Sequence, residues 1–294
     1  MKALVRLIHR AVRLARLDRI VAFCSGRYAF FIRFVPLKGH YRRGDRVRVF
    51  RDGVVFSLDR SDYIQWHIFA SIPEYSWRVA FDSLPDGATV FDVGANVGMF
   101  SLKLARKCQE SGKKVDIYSL EPNPPTFERL RGNLEWNGDL SSSIHLDELA
   151  LGDQSGSLEL VYDESNTGGA SMIAVDALQS DPTVAIVRME TLDQLLIDRD
   201  ITRVDFIKID VEGFEPLVLE GARRRIESFS PVLYIEMTNE WFRRSGHSNS
   251  SVLRFLRERH NYSFFMMKGA TRVEIDPADP IDGYPQFDLV AIPS

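Results

Sequence analysis

Three hydrophobic patterns follow one another along the chain. Leu4, Val5, Ile8, Ala11, Val12 and Ala15 recur at helical spacing, with Arg6, Arg10, Arg13 and Arg16 mostly on another face, which predicts an amphipathic basic helix. From Arg46 the period falls to two: Val47 and Val49, then Asp52-Gly53, then Val54, Phe56 and Leu58, the pattern of a β-hairpin. Residues 62–84 return to helical spacing and end at Pro85-Asp86-Gly87, a turn that marks a boundary. Beyond Gly87, short apolar runs near 88–93, 115–120, 144–150, 204–210, 231–236, 262–267 and 286–292 alternate with helical stretches. That predicts an α/β fold with a seven-stranded, mostly parallel sheet and helices on both faces. Residues 151–190 carry alternating segments around the Gly-rich stretch Asn166–Ser171 and read as an inserted hairpin or flap. The expected organisation is an N-terminal extension over 1–84 and an α/β domain over 85–294.

Composition narrows the class. At 294 residues, with 45% hydrophobic and 27% charged content, the chain can bury a full-size core, and a disulfide miniprotein or a repeat array is a poor reading. Cys24 and Cys108, the two cysteines, lack C-x-x-C spacing, so no thiolate zinc site or disulfide framework is expected and a reducing, cytoplasmic setting fits. The net charge of −4 hides an asymmetry. Residues 1–51 hold fourteen Lys and Arg against Asp18 and Asp45, a charge of +12, leaving −16 on the remainder. An acidic catalytic part repels phosphate backbones, so no nucleic-acid partner is expected. The apolar stretch Ile20–Leu37 is broken by Arg27 and Arg33 and is too short to span a bilayer. No A-x-A-like cleavage site follows an apolar run, which argues against a secretory signal, while an organelle transit peptide stays open for so Arg-rich a start. Two readings of the helix stay open: residues 1–23 lie on an anionic membrane surface as a peripheral contact at its inner face, or its apolar stripe packs on the domain.

Candidate chemistry concentrates at strand ends. Val90-Phe-Asp-Val-Gly-Ala-Asn-Val-Gly98 feeds an apolar strand through a glycine turn into the helical pattern that begins at Met99. Gly94 and Gly98 lack the Cβ that would keep backbone from a ligand, which predicts a nucleotide-like cofactor. The dinucleotide fingerprint is G-x-G-x-x-G, and here Asn96 stands where its second glycine belongs. Asp92 at the strand end would repel a pyrophosphate but suits a cationic ligand end, such as the ammonium and sulfonium of S-adenosylmethionine. Glu121 ends the second strand, where an acid can accept both ribose hydroxyls. Asn123 then reads as a helix cap ahead of Pro124. Asn123-Pro-Pro-Thr126 superficially resembles the N/D-P-P-aromatic motif of base-methylating enzymes but lacks the aromatic that stacks on a flipped base.

The third motif is Val204-Asp-Phe-Ile-Lys-Ile-Asp-Val-Glu-Gly-Phe-Glu215. Ligands in open α/β sheets sit beyond the carboxyl ends of the strands, so Asp210 and Glu212 should reach the reactive end of the cofactor. Lys208, buried in the strand among acids, is costly unless used or paired. The bland reading makes it an ion bridge to one acid, with the other acids capping the next helix.

These residues resemble the FkbM-type methyltransferases, S-adenosylmethionine-dependent enzymes of the class I Rossmann-like group. The likeness runs over roughly 88–237, through Phe91–Gly98, Leu120-Glu-Pro122, Leu149-Ala-Leu-Gly-Asp153, Thr191-Leu-Asp-Gln-Leu-Leu196, Ile207–Gly213 and Tyr234-Ile-Glu236. Residues 1–60 carry no motif of the family. The resemblance implies that Asp92, Gly94, Asn96 and Gly98 line the methionine end of the cofactor, that Glu121 holds the ribose, and that Asp153 lies near the adenine. It also implies O-methylation of a hydroxyl on a sugar, glycolipid or polyketide-type acceptor. A sugar hydroxyl must lose its proton, which Asp210 or Glu212 could take as general base. Alternatively, Asp210 with Glu236 at the tip of the next strand would hold a divalent cation that polarises the hydroxyl. His145, His247 and His260 are further candidate bases that no spacing ties to the site. Other readings are a non-catalytic cofactor- or lipid-binding protein on the same scaffold, or a methyltransferase acting on protein or nucleic acid.

Overall fold

The computed structural model describes residues 2–163, 166–171, 183–259, 262–276, 278 and 281–294. His260 and residues 172–182 of the expected flap lie outside them. The N-terminal region forms α1 (Lys2–Leu14), α2 (Asp18–Arg27), a 3₁₀ turn (Ala29–Phe34), the hairpin β1 (Arg46–Arg51) and β2 (Val54–Asp59), α3 (Tyr63–Phe69) and α4 (Ser76–Ser83). The expectation of one helical stretch over 62–84 is corrected to two helices. Pro73 has no N–H for a helical bond and Ser71 turns to φ +57°, so the chain leaves the helix between Phe69 and Ser76.

The body continues with β3 (Ala88–Val93), α5 (Met99–Ser111), β4 (Val115–Leu120), α6 (Pro124–Glu135), β5 (Ile144–Asp147), β6 (Ala150–Leu151), β7 (Gly156–Asp163), β8 (Asn166–Ser171), β9 (Thr183–Glu190) and α7 (Leu192–Asp198). It ends with β10 (Phe206–Ile209), α8 (Glu215–Gly221), α9 (Arg223–Phe229), β11 (Val232–Thr238), α10 (Asn239–Arg244), α11 (Asn249–Arg259), β12 (Tyr262–Lys268), β13 (Thr271–Ile275) and β14 (Gln286–Pro293). The main sheet has the order β13-β12-β14-β11-β10-β3-β4-β5. From β11 to β5 the pairings are parallel, and β14 runs antiparallel to both β11 and β12. All seven expected strands are present. An eighth, β13, hairpins onto β12. The region expected as a flap contributes β7, β8 and β9 to a separate sheet of order β6-β9-β7-β8.

Two apolar clusters hold the sheet from its two sides. One gathers Phe91, Val93, Leu120, Ile207, Ile209, Leu233 and Ile235 with α7, α8 and the second sheet. The other gathers Val90, Phe100, Ile117 and Phe206 with Ala22, Val35, Val47, Phe56, Trp66 and Phe69. Residues from the N-terminal region therefore share a core with the α/β sheet.

Polar anchors fix that contact. The outer edge of β2 meets α6 and the turn just after it: Val55 N–H donates to Asn137 Oδ1 at 3.0 Å and Ser57 N–H to Asn133 Oδ1 at 2.8 Å. Asn133 Nδ2 in turn donates to the Val97 carbonyl in the glycine turn at 2.9 Å. One fully buried amide thus ties the hairpin to the loop after β3. Asn133→Leu, close in shape, leaves the Ser57 N–H and the Val97 carbonyl unpaired in the interior, each worth roughly 1–3 kcal/mol. Urea unfolding should show a lower midpoint with an unchanged slope.

Candidate active site

The strand order reverses at β3: the chain proceeds outward through β4 and β5, then returns to its other side at β10. Open α/β sheets bind ligands at such a switch point. A cleft of about 270 Å³ lies there, lined by the turn after β3 (Gly94–Phe100 without Gly98), by Glu121 and Pro122, by Lys208 and Asp210 to Glu212, by Tyr234 and Glu236, and by Asp288. Its remaining wall includes Ile64, His67, Ile72, Pro73 and Glu74, from α3 and the segment after it.

The glycine turn earns its residues through protein packing. Gly94 has φ +79°, and a Cβ there would stand 1.9 Å from the Asp210 carbonyl oxygen. Gly98, at φ +88°, would meet Leu130 Cδ1 of α6 at 2.6 Å. Both glycines therefore let the turn pack on the end of β10 and on α6, a packing role beside the ligand approach expected from sequence. Between them Asn96 adopts φ +50°, which Asn tolerates because its short side chain bonds locally; its Oδ1 accepts the Val97 N–H at 2.8 Å.

Asn96 also orients Glu121. Its N–H donates to Glu121 Oε2 at 2.8 Å and the Asn123 N–H donates to Oε1 at 3.0 Å. Each oxygen keeps a lone pair beyond these bonds. Burial pushes this carboxyl up to about 7 against the pull of the two N–H groups. Asn123 makes no side-chain cap bond, which corrects its reading as a capping side chain; its carbonyl accepts from Thr126 and Phe127 instead.

A buried polar row crosses the sheet beneath the cleft. Ser119, Asp92, Lys208 and Tyr234 are neighbours in register on four adjacent strands. Ser101 Oγ donates to Asp92 Oδ2 at 2.6 Å and stands 2.7 Å from Ser119 Oγ. Lys208 Nζ lies 3.4 Å from Asp92 Oδ1, 3.1 Å from Asp210 Oδ2 and 3.3 Å from the Gly94 carbonyl. Burial alone would pull this ammonium down, but Asp210 and Asp92 outweigh it and hold it above its ordinary range. Burial pushes Asp92 up, opposed by Lys208. Asp92 is fully buried and supports Lys208 and the turn from below, outside the cleft lining.

The other acids divide by position. Glu215 has its two oxygens on the Val211 and Gly213 N–H groups at 2.9 Å each, and burial pushes it up to about 7. It organises the start of α8, the role that the bland reading gave to unspecified acids of this motif. Glu212 lies in the cleft wall at φ +51° and is pushed well up by burial and by Asp210. Glu236 accepts from Gln286 Nε2 at 2.7 Å and is pushed well up, first by Asp210 and then by burial. Asp288 faces Glu236 in register on β14 and accepts from the Tyr234 hydroxyl; burial pushes it up. Asp210, ion-paired to Lys208, is 39% exposed at its side chain, so it is reachable from the cleft.

The structure thus gathers Gly94, Asn96, Glu121, Lys208, Asp210, Glu212 and Glu236 around one cleft, while Asp92 and Gly98 stand behind it and Asp153, exposed after β6, is not among its lining. Among the described residues no three His, Cys, Asp or Glu side chains gather so as to hold a metal ion, while Asp210 and Glu236, the expected cation pair, both line the cleft. His145 pairs with Asp116, and neither it nor His247 lines the cleft. Four titratable lining groups were missed from sequence: His67, Glu74, Tyr234 and Asp288. Tyr234 alone had a signal, its position two residues before Glu236 on the same strand face.

A family model described as the methyltransferase FkbM domain matches residues 92–264. Methyltransferase 1 of Beauveria bassiana is 29% identical over 153 residues, covering 47% of this chain and 59% of that protein. The hexuronic acid methyltransferase AglP of Haloferax volcanii is 25% identical over 158 residues, covering 53% of this chain and 59% of that protein. The 31-O-demethyl-FK506 methyltransferase FkbM of Streptomyces tacrolimicus is 27% identical over 190 residues, 53% of this chain and 70% of that protein. The chain therefore spans about three fifths of the length of the first two relatives. The solved structure of methyltransferase FkbM from Methylobacillus flagellatus superposes with a TM-score of 0.48 at 19% identity, over 78% of this chain and 52% of that chain.

Proposed function

We propose that this chain, which belongs to the FkbM methyltransferase family, is an S-adenosylmethionine-dependent O-methyltransferase acting on a hydroxyl of a sugar, glycolipid or polyketide-type acceptor. The observation that carries the reading is the pairing of Asn96 with Glu121: a buried carboxylate, fixed by two backbone N–H groups, keeps a lone pair on each oxygen at the rim of the glycine turn. That donor-accepting geometry fits the two hydroxyls of a ribose. The cofactor, when bound, supplies an electrophilic methyl group on a sulfonium. Gly94 and Asn96 would hold its methionine end and Glu121 its ribose.

Asp210 serves as general base. Glu212 and Glu236 are pushed toward their protonated forms, whereas the Asp210 side chain is open to the cleft and ion-paired with Lys208 Nζ at 3.1 Å. Lys208 is a positioning residue: it ties Asp210 to the Gly94 carbonyl and to Asp92. The acceptor hydroxyl gives its proton to an Asp210 oxygen as its own oxygen becomes the nucleophile. A sugar acceptor is supported by the name of the Haloferax relative, which acts on a hexuronic acid. Calorimetric titration with S-adenosylmethionine, followed by labelled-methyl transfer to a panel of glycan and lipid-linked hydroxyl acceptors, tests the reading. Cofactor binding without transfer to any acceptor favours the non-catalytic scaffold, and absence of binding overturns the proposal.

Glu121→Ala should weaken cofactor binding by two charge-assisted hydrogen bonds, each worth roughly 1.5–3 kcal/mol. Protonation of Glu121 removes part of the same acceptor set, so affinity should be higher at pH 8 than at pH 6, across the value of about 7 to which burial raises the free carboxyl. An unchanged dissociation constant in folded Glu121→Ala removes this residue from the site.

A further inference from the structure

Apolar side chains on the N-terminal helices separate into two sets. Val5, Ile8 and Val12 are half-buried against the body. Leu7, Leu14, Leu17, Ile20 and Phe23 face the other way and are between 44% and 75% exposed. The sequence pattern singles out the first set, so the second was not part of the expected stripe. Tyr28 and Phe30, also exposed, extend it through an aromatic cluster in which Phe30 packs edge-on against Phe34 at 5.3 Å. The Arg33 guanidinium covers Phe30 at 4.2 Å. His9 Nε2 lies 2.8 Å from the Arg33 carbonyl, so the 3₁₀ turn is packed onto α1. An apolar surface of this extent on a folded protein marks an interaction site.

Its charge identifies the occupant. Asp18 and Asp45, the two acids of the first 51 residues, are both turned inward: Asp18 onto Arg60, and Asp45 onto Arg60 at 2.5 Å and Arg13 at 2.6 Å. Arg6, Arg10, Arg16, Arg19 and Arg27 remain exposed around the apolar set. Leucine, phenylalanine and tyrosine within a ring of arginines match the boundary between acyl chains and anionic headgroups. A second copy presenting this same face would instead set +12 against +12.

We infer that α1, α2 and the 3₁₀ turn form a docking face for an anionic phospholipid leaflet. The face is coupled to the cleft through a single segment. Ser25 Oγ donates to the Ala70 carbonyl at 2.8 Å, and Arg51 Nη2 donates to the carbonyls of Ala22 at 3.1 Å and Phe69 at 2.8 Å, while Ile64, His67 and Ile72 to Glu74 line the cleft. Docking therefore brings the leaflet to the α3 side of the cleft. With the proposed O-methyl transfer, on which this clause alone rests, that placement selects an acceptor hydroxyl carried on a lipid.

Flotation of the full chain with vesicles of phosphatidylcholine alone, or mixed with phosphatidylglycerol, tests the docking without reference to methyl transfer. Binding to the mixed vesicles at low salt, weakened by raised salt and weak on neutral vesicles, is the expected result. Leu14→Ser/Ile20→Ser/Phe23→Ser should lower the bound fraction about tenfold or more at low salt, since it removes exposed apolar area that the fold does not use. Arg10→Gln/Arg16→Gln/Arg19→Gln should lose the preference for phosphatidylglycerol, by about fivefold per arginine. Both variants should keep the wild-type melting temperature and cofactor affinity. Protein left unbound on mixed vesicles at low salt, wild-type binding by the apolar variant, or a lipid-free dimer that the apolar variant dissolves, would each overturn the inference.

Discussion

Asp210→Asn is expected to lower turnover by about 10²–10⁴-fold, the contribution of a positioned general base, while the protein stays folded and binds cofactor as before. Asparagine has nearly the same shape, and Lys208 keeps Asp92 at 3.4 Å and the Gly94 carbonyl at 3.3 Å as partners, so no buried charge is orphaned. The substitution has a second readout. Asp210 is the foremost cause of the upward push on Glu236 and contributes to that on Glu212, so both carboxyls should fall back toward the ordinary range and any residual pH–rate profile should move with them. Single-turnover methyl transfer with calorimetry on the same preparation checks it. Near-normal turnover would reduce Asp210 to a structural partner of Lys208.

Gly94→Ala is expected to cost the fold and the site together. Its φ of +79° costs an alanine about 1–2 kcal/mol, and the added methyl would stand 1.9 Å from the Asp210 carbonyl oxygen, which is backbone and cannot swing away. The turn must lift off β10, carrying the Asn96 N–H from Glu121 and the Gly94 carbonyl from Lys208. A loss above about 4 kcal/mol is in the range reserved for such strain. Gly87 is the internal control: it has φ +70°, and a Cβ there meets nothing within 4 Å, so Gly87→Ala should cost only the conformational amount. Chemical denaturation of the two variants side by side decides it, and equal costs would refute the packing argument.

How much of this was legible in sequence follows from where the information sits. Strands such as Val90–Val93 and Phe206–Ile209 are buried apolar runs and announce themselves. β13 does not, because Thr271, Arg272, Val273 and Glu274 are all exposed on an edge and carry no alternation that burial would enforce. Strand-end acids were legible because topology dictates that carboxyl ends of parallel strands converge. His67 and Glu74 were not: they reach the cleft only because the N-terminal segment folds back over α5 and the sheet core, and nothing around Ile72-Pro73-Glu74 records that contact. Asp288 depends on the antiparallel pairing of the last strand with β11, a register that local pattern does not encode. Asp153 illustrates the converse, since its acid follows a strand as expected but that strand, β6, joins the second sheet.

The clamp of β2 by Asn133 and Asn137 also sets a clock on synthesis. The edge of β2 finds its partners 76 and 82 residues further along the chain. At roughly 5–20 residues per second, the hairpin waits on the order of 4–16 s before α6 has been made. During that interval Val54, Phe56 and Leu58, later among the most deeply buried side chains, have no sheet to cover them, and an open strand edge can recruit neighbouring chains. A nascent chain of this protein therefore carries an uncovered hairpin edge long after the turn at Gly94–Gly98 has been made, and holding that hairpin is the task a ribosome-associated chaperone would face.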